Sequence, residues 1–281
     1  MSGLVLLASY PKSGNTWMRA FVESLRQGGQ PIQIATLRTG IPNIAWRGWF
    51  GELMGVEASD LEPGEIARAR PDYHRRLCRF MPGWAAFKVH DCQHRVEPDG
   101  EWLFPADSVA AVVYVVRDPR DVAVSLSHHI GRPIDEAIRR MADHHWTASL
   151  DGEGPASQFP QFRSSWSGHV ESWLDAQRYL RLHLIRYEDM IANPQAAFGA
   201  VAAFLGLDTS PAAVAAAVAA TTFDSLRAQE EAHGFCERPS SMEFFFRSGK
   251  AGGWQDRLSP EQAERIVTRH GAVMRRLGYL P

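Results

Sequence analysis

The chain has 281 residues, 45% apolar and 22% charged, and a formal net charge of −2. That length suits one large α/β domain or two small ones, and so small a charge gives no global field to draw in nucleic acid or an acidic membrane. Three widely spaced cysteines argue against a disulfide framework, no apolar run approaches the ~20 residues of a bilayer span, and Lys12 and Arg19 interrupt any signal-peptide core, so a soluble, reducing, cytoplasmic setting is expected.

Residues 4–8 form a continuous apolar run, as in a strand buried on both faces. Trp17, Met18, Phe21, Val22 and Leu25 then recur at helical spacing. Between them lies Ser9-Tyr10-Pro11-Lys12-Ser13-Gly14-Asn15-Thr16-Trp17. A lysine, small hydroxyl residues and a glycine at a strand-to-helix turn suit an anion held by backbone N–H groups and the helix dipole. The spacing is not that of a standard phosphate loop. Residues 29–83 are punctuated by Pro31, Pro42, Pro63, Pro71 and Pro82, which suggests short helices and loops. Their aromatics fit core packing, with a few left to line a pocket.

Residues 84–90 read as a strand that ends in Lys88-Val89-His90, and His90 stands where open α/β sheets gather ligands. As a base or as a structural hydrogen bonder, it is about equally placed. His90 and His94 have metal-ligand spacing, but they leave a strand into a loop and lack an intervening glutamate, so no metal is assigned. Residues 109–116 form the clearest buried strand and run into Arg117-Asp118-Pro119-Arg120-Asp121. Asp118 suits an N-cap, Pro119 the first helical position, and Ser125 lies two turns along. Residues 131–168, with Gly152-Glu153-Gly154-Pro155, suggest a lid. A helix over about 169–180, a strand over 182–186 leading into Tyr187-Glu188-Asp189, and a helix from Asn193-Pro194 to Gly206 follow. An alanine-rich helix covers 211–220. Beyond Thr221-Thr222-Phe223, the stretch Phe244-Phe245-Phe246-Arg247-Ser248-Gly249-Lys250 reads equally as a purine-stacking loop or as a hydrophobic plug with flanking charges. The last helix opens with the capping box Ser259-Pro260-Glu261-Gln262. No repeat or linker divides residues 1–281, so one domain is expected.

Together these stretches resemble the sulfotransferases that use 3′-phosphoadenosine 5′-phosphosulfate (PAPS). Residues 9–17 are similar to the family's 5′-phosphosulfate loop and residues 113–125 to its 3′-phosphate motif. Lys88-Val89-His90 falls where the family has Lys-Thr-His, with the histidine as base. Arg186-Tyr187-Glu188-Asp189, Thr221-Thr222-Phe223 and Arg247-Ser248-Gly249 with Gly252-Gly253-Trp254 resemble further family segments. The resemblance implies a mostly parallel sheet flanked by helices in a P-loop-like α/β fold. It implies His90, Lys12 and Lys88 as catalytic residues. Pro11, Lys12, Ser13, Gly14, Asn15, Thr16 and Trp17, with Arg117, Ser125, Tyr187, Thr222, Phe223, Arg247, Ser248 and Gly249, would contact the donor. Adenosine 3′,5′-bisphosphate would be the product, and no metal would be needed.

Val89, Ser248 and Gly253 depart from the family's threonine, lysine and aspartate, with Lys250 as a substitute cation for the missing lysine. The acceptor would be a hydroxyl on a small molecule, natural product, glycan or lipid-linked group, lodged among residues 29–83, 131–168 and the Phe244–Phe246 loop, and the tryptophans there suit a sugar ring or a phenol equally. A P-loop-type kinase or NTPase and a non-catalytic nucleotide-binding protein are the alternatives. The first lacks a clear acidic partner for Mg²⁺ and a standard phosphate loop. Oligomeric state is not legible.

Overall fold

The computed structural model describes residues 3–98, 100–148, 158–239 and 242–281. At its centre, β1 (Gly3–Ser9) is buried along its whole length. It pairs in parallel with β2 (Trp84–Val89) on one side and β3 (Val109–Val116) on the other. A short antiparallel pair, β4 (Thr147–Ala148) and β5 (Gln161–Phe162), stands apart. β6 (Leu182–Arg186) joins β3 in parallel, giving the order β2-β1-β3-β6. The chain thus leaves β1 toward one edge and later returns to its other side. Such a reversal opens a crevice beyond the C-terminal strand ends. Alternate residues face opposite cores. Leu4, Leu6, Val112 and Tyr114 pack with Trp166 and Trp173, whereas Val5, Leu7 and Val113 pack with Phe21 and Phe198.

Helix α1 (Asn15–Arg26) applies Met18, Phe21, Val22 and Leu25 to the second core, as their spacing predicts. Two short helices follow, α2 (Leu37–Gly40) and α3 (Phe50–Met54). The expectation of only short helices and loops over 29–83 fails at α4 (Pro63–Phe80), an 18-residue helix. Pro63 takes the first helical position after the Glu62–Glu65 capping box, where its missing N–H has no cost. Pro71 lies inside the helix, at a cost of about 3 kcal/mol. Burial of Tyr73, His74 and Leu77 on the same helix offsets it.

Helix α5 (Pro119–Ile130) starts as read, with the Asp118 carboxylate accepting from the Arg120 N–H. Within 131–168, α6 (Ile134–Ala142), β4 and β5 are regular, and the 152–155 turn lies outside the described residues. Helix α7 (Trp166–Ala176) begins earlier than about 169, because Ser165 caps it. Next come α8 (Tyr187–Ala192), α9 (Pro194–Leu205), α10 (Pro211–Ala220) and α11 (Phe223–His233). Finally, α12 (Pro260–Arg276) opens with the expected Ser259–Gln262 box. Among the described residues no helix is long and apolar enough to cross a membrane.

Candidate active site

Between β1 and α1 the backbone is held in an unusual shape. Lys12 has φ 68° and Gly14 φ 106°. Left-handed geometry costs a non-glycine residue on the order of 1 kcal/mol. A Cβ on Gly14 would lie 2.7 Å from Tyr187 Cδ2, so only glycine lets the loop pass beneath that ring. Asn15 braces the turn, its Nδ2 donating to the Leu7 carbonyl (2.7 Å) and Ser9 Oγ (3.2 Å). The N–H groups at the start of α1 precede its hydrogen-bond ladder, and no acidic residue occupies that first turn. Ser13 Oγ and Trp17 Nε1 are buried without a hydrogen-bond partner. Unsatisfied polar atoms cost roughly 1–3 kcal/mol each, so the cradle fits a ligand that supplies hydrogen-bonding oxygens.

Lys12 Nζ stands 3.9 Å from the centre of the Phe245 ring. Burial, then Lys88 and Arg117, push its pKa down to about 7. Lys88 is lowered too, mainly by burial, against the pull of Glu237 2.8 Å away. Glu237 also takes a 2.7 Å bond from Arg19, which is fully buried and spends its other nitrogens on the Leu37 and Ile41 carbonyls. Burial works to raise the Glu237 carboxyl, but Lys88 and Arg19 outweigh it and hold it at about 2. Arg117 reaches the Lys12 carbonyl (3.3 Å) and the Lys250 carbonyl (2.9 Å), and its guanidinium lies over the Tyr187 ring.

His90 follows the end of β2. Its Nδ1 lies 2.8 Å from the Ser9 carbonyl, which can only accept, so Nδ1 carries the proton and Nε2 keeps a lone pair. Burial first, then Lys88 and Arg163, hold its pKa well below the usual histidine value. The imidazole is therefore neutral at pH 7. Behind it, His169 Nε2 contacts the His90 carbonyl (3.3 Å) and His169 Nδ1 contacts the Tyr114 hydroxyl (2.8 Å). His94 instead turns its Nδ1 to the Cys92 carbonyl.

Every site residue expected from the sequence except Ser13 and Thr222 lines one cavity of about 1260 Å³. Ser13 lies beneath the loop, fully buried. Thr222 caps α11, its hydroxyl accepting from the Ser225 N–H. Phe245 and Phe246 both pack with Phe235, as a plug would, and both border the cavity, Phe246 buried and Phe245 set against Lys12. The C-terminal segment roofs the cavity through three ties. They are Glu237 to Arg19 and Lys88, the Glu230 carboxylate to the N–H groups of Phe245 and Phe246, and Asp121 to those of Gly252 and Trp254. Of the departures, Val89 is buried in the core, not in the cavity wall. Lys250 lends its carbonyl to Arg117 and does not line the cavity. Arg257, absent from the sequence reading, lies near enough to Arg247 to lower its pKa after burial has done so.

Residues 3–278 match the family model for the sulfotransferase domain. The chain belongs to the sulfotransferase family. It is 25% identical over 284 aligned positions to Homo sapiens sulfotransferase 2B1, covering 99% of this chain and 67% of that protein. With sulfotransferase 1C2 of Oryctolagus cuniculus it shares 22% identity, over 93% of this chain and 80% of the relative. Two solved structures share the fold. Retinol dehydratase in complex with androsterone and the inactive cofactor PAP has a TM-score of 0.63 at 18% identity, over 96% of this chain and 80% of that one. Mouse sulfotransferase SULT7A1 complexed with PAP has 0.61 at 20%, over 99% and 89%. In this sulfotransferase the sequence reading missed Glu237 and Arg163, which lie outside every motif that carried the resemblance.

Proposed function

We propose that this sulfotransferase moves a sulfuryl group from PAPS to an acceptor hydroxyl, with His90 as general base. One observation carries the reading: a neutral imidazole, oriented by the Ser9 carbonyl at the lip of the cradle, with Nε2 free to take a proton. The donor, when bound, brings an activated sulfuryl group on a phosphate leaving group. In this reading Pro11 to Trp17 hold its 5′ end. Arg117, Ser125 and Arg247, with Ser248 and Gly249, hold its 3′-phosphate. Trp17, Tyr187 and Phe223 flank the adenine, and Thr222 acts by capping the helix that carries Phe223. Lys12, with Lys88 beside it, stabilises charge on the leaving oxygen, and His90 Nε2 receives the acceptor's proton. Lysine and arginine supply the positive charge, so the reading needs no metal. The three free cysteines fit a cytoplasmic setting.

Titration with adenosine 3′,5′-bisphosphate in EDTA, beside ATP with Mg²⁺, tests the donor. Tight binding of the bisphosphate alone is expected, and preference for ATP with Mg²⁺ would point to a kinase or NTPase. The binding should also be pH-dependent. Lys12 titrates near 7 in the free protein, and a bound anion favours its charged form. The sign follows: a proton is taken up on binding above pH 7, so affinity is greatest below 7 and weakens as pH rises, by at most about tenfold per unit. The ligand's own phosphates are half-way through their second ionisation near pH 6 and about nine-tenths ionised by pH 7, so the weakening above pH 7 is that of Lys12. Calorimetry from pH 6 to 9 measures it, and a Lys12→Met variant should lose the dependence. A flat profile in the wild type would remove Lys12 from donor binding.

A further inference from the structure

Three side-chain amides stand in a row beside the base, and the backbone fixes which way each one points. The Ala45 N–H, which can only donate, lies 3.0 Å from Asn43 Oδ1. Asn43 Nδ2 is therefore the atom that meets Gln158, at 3.2 Å, and the Gln158 atom it meets is Oε1. Gln161 reaches the same Oε1 at 2.9 Å, so it too must present its nitrogen, Nε2. That leaves Gln161 Oε1 buried and without a hydrogen-bond partner, in a residue that is 2% exposed and lines the cavity. Backbone bonds tie this relay to the residues on both sides of His90. Asn43 bridges Lys88 in parallel, the Ile44 N–H donating to the Lys88 carbonyl (3.0 Å). At the other end, the Phe162 N–H donates to Asp91 Oδ1 (3.1 Å) and the Cys92 N–H to the Phe162 carbonyl (2.8 Å). Phe162 turns its ring to His94, so Gln161, its neighbour on the strand, faces the opposite way. Trp46, bridged to Gln158, packs edge to face on Trp49 at 4.6 Å, and both half-buried rings line the same cavity.

We propose that the Asn43–Gln158–Gln161 relay presents Gln161 Oε1 as a fixed hydrogen-bond acceptor, so that the enzyme takes a polyhydroxyl acceptor, one hydroxyl reacting and a second donating to Gln161. This rests on the transfer reading above, which supplies the reacting hydroxyl. The ring that carries the two hydroxyls, aromatic or sugar, lies against Trp46 and Trp49. A bound ring without the second hydroxyl leaves Oε1 desolvated and unpaired, and a site built to hydrogen-bond a hydroxyl rejects the analogue that lacks it. The polarity of Gln161 is set from a distance. An oxygen in place of Asn43 Nδ2 would turn Gln158 round to donate from Nε2, and Gln161 would turn in response, bringing its own Nε2 to the cavity.

The test compares matched pairs by saturation-transfer NMR and calorimetry, with and without adenosine 3′,5′-bisphosphate, and then by transfer from labelled PAPS. Catechol is set against 2-methoxyphenol, whose second oxygen cannot donate, and methyl β-D-glucoside against cyclohexanol. In at least one pair the polyhydroxyl member is expected to bind roughly 10–100-fold more tightly and to be sulfated with the higher kcat/KM. Which pair shows it distinguishes an aromatic diol from a saccharide. Gln161→Leu should bring the two members within about threefold of each other, with thermal melts showing the variant folded. Asn43→Asp, of the same shape, should abolish the preference and favour 2-methoxyphenol over catechol, a reversal that a purely structural role for the amides would not produce. It also carries the test if Gln161→Leu fails to fold. Equal binding within both pairs, a preference that survives Gln161→Leu, or an unchanged order in Asn43→Asp would each overturn the proposal. Failure of the bisphosphate to bind, with the preference intact, would strike the transfer reading alone.

Discussion

Replacing His90 with alanine is expected to lower the rate of transfer by roughly 10²–10⁴-fold while leaving adenosine 3′,5′-bisphosphate affinity within a few-fold. The split follows from geometry. Nδ1 is committed to the Ser9 carbonyl, so the ring's remaining contribution is the Nε2 lone pair. Losing the Nδ1 contact relaxes Ser9 slightly, but Asn15 still holds that end of the loop. The pH profile gives a second reading. A base is active when deprotonated, and burial with Lys88 and Arg163 holds His90 well below its usual pKa. The rate should therefore already be flat near pH 6.5 and fall only at more acid pH. Single-turnover kinetics would decide the matter, and an alanine variant that transfers at the wild-type rate would end the assignment.

Glu237→Ala should unfold more easily by about 3 kcal/mol in urea titrations. Removing one partner of a buried ion pair costs about 3–5 kcal/mol, because the remaining charge is stranded. Here two are stranded, Arg19 with no exposed side-chain surface and Lys88 with 15%. The 16% exposure of Glu237 argues for the lower end of that range. Lys88, already lowered by burial, would lose the carboxylate that keeps it charged, so the variant should also bind the bisphosphate less well at neutral pH. A loss below about 1 kcal/mol would mean that water substitutes for the carboxylate.

What the sequence made legible is what lies close together along it. The cradle is nine consecutive residues between a strand and a helix, and the expected helix starts at Pro119, Pro194 and Pro260 follow from local capping chemistry. The family resemblance then linked these stretches in order. Glu237 was invisible because a single glutamate in an irregular stretch carries no periodicity. Its role depends on Arg19 and Lys88, 218 and 149 residues away. Arg163 and Gln161 were hidden in the same way inside a segment read as a lid. The α4 helix was missed for an opposite reason, since Pro63, Pro71 and Pro82 read as breakers, while one sits at the first helical position, one is outweighed by packing and one lies beyond the helix end.

The three ties that hold the roof have a consequence for the order of folding. Two of them, Glu237 to Arg19 and Lys88 and Asp121 to Gly252 and Trp254, join the last third of the chain to an element formed much earlier, so the ordering cost of a long loop is met before the contact rewards it, whereas the Glu230 tie closes only a short local loop. Core tryptophans such as Trp166 and Trp173 can bury without those ties, because their neighbours lie in the sheet layer. In refolding, tryptophan fluorescence is therefore expected to recover ahead of bisphosphate binding, and simultaneous recovery would show that roof and core dock together. A nascent chain still short of residue 237 would hold the cradle and the base, yet lack the carboxylate that pairs with Lys88.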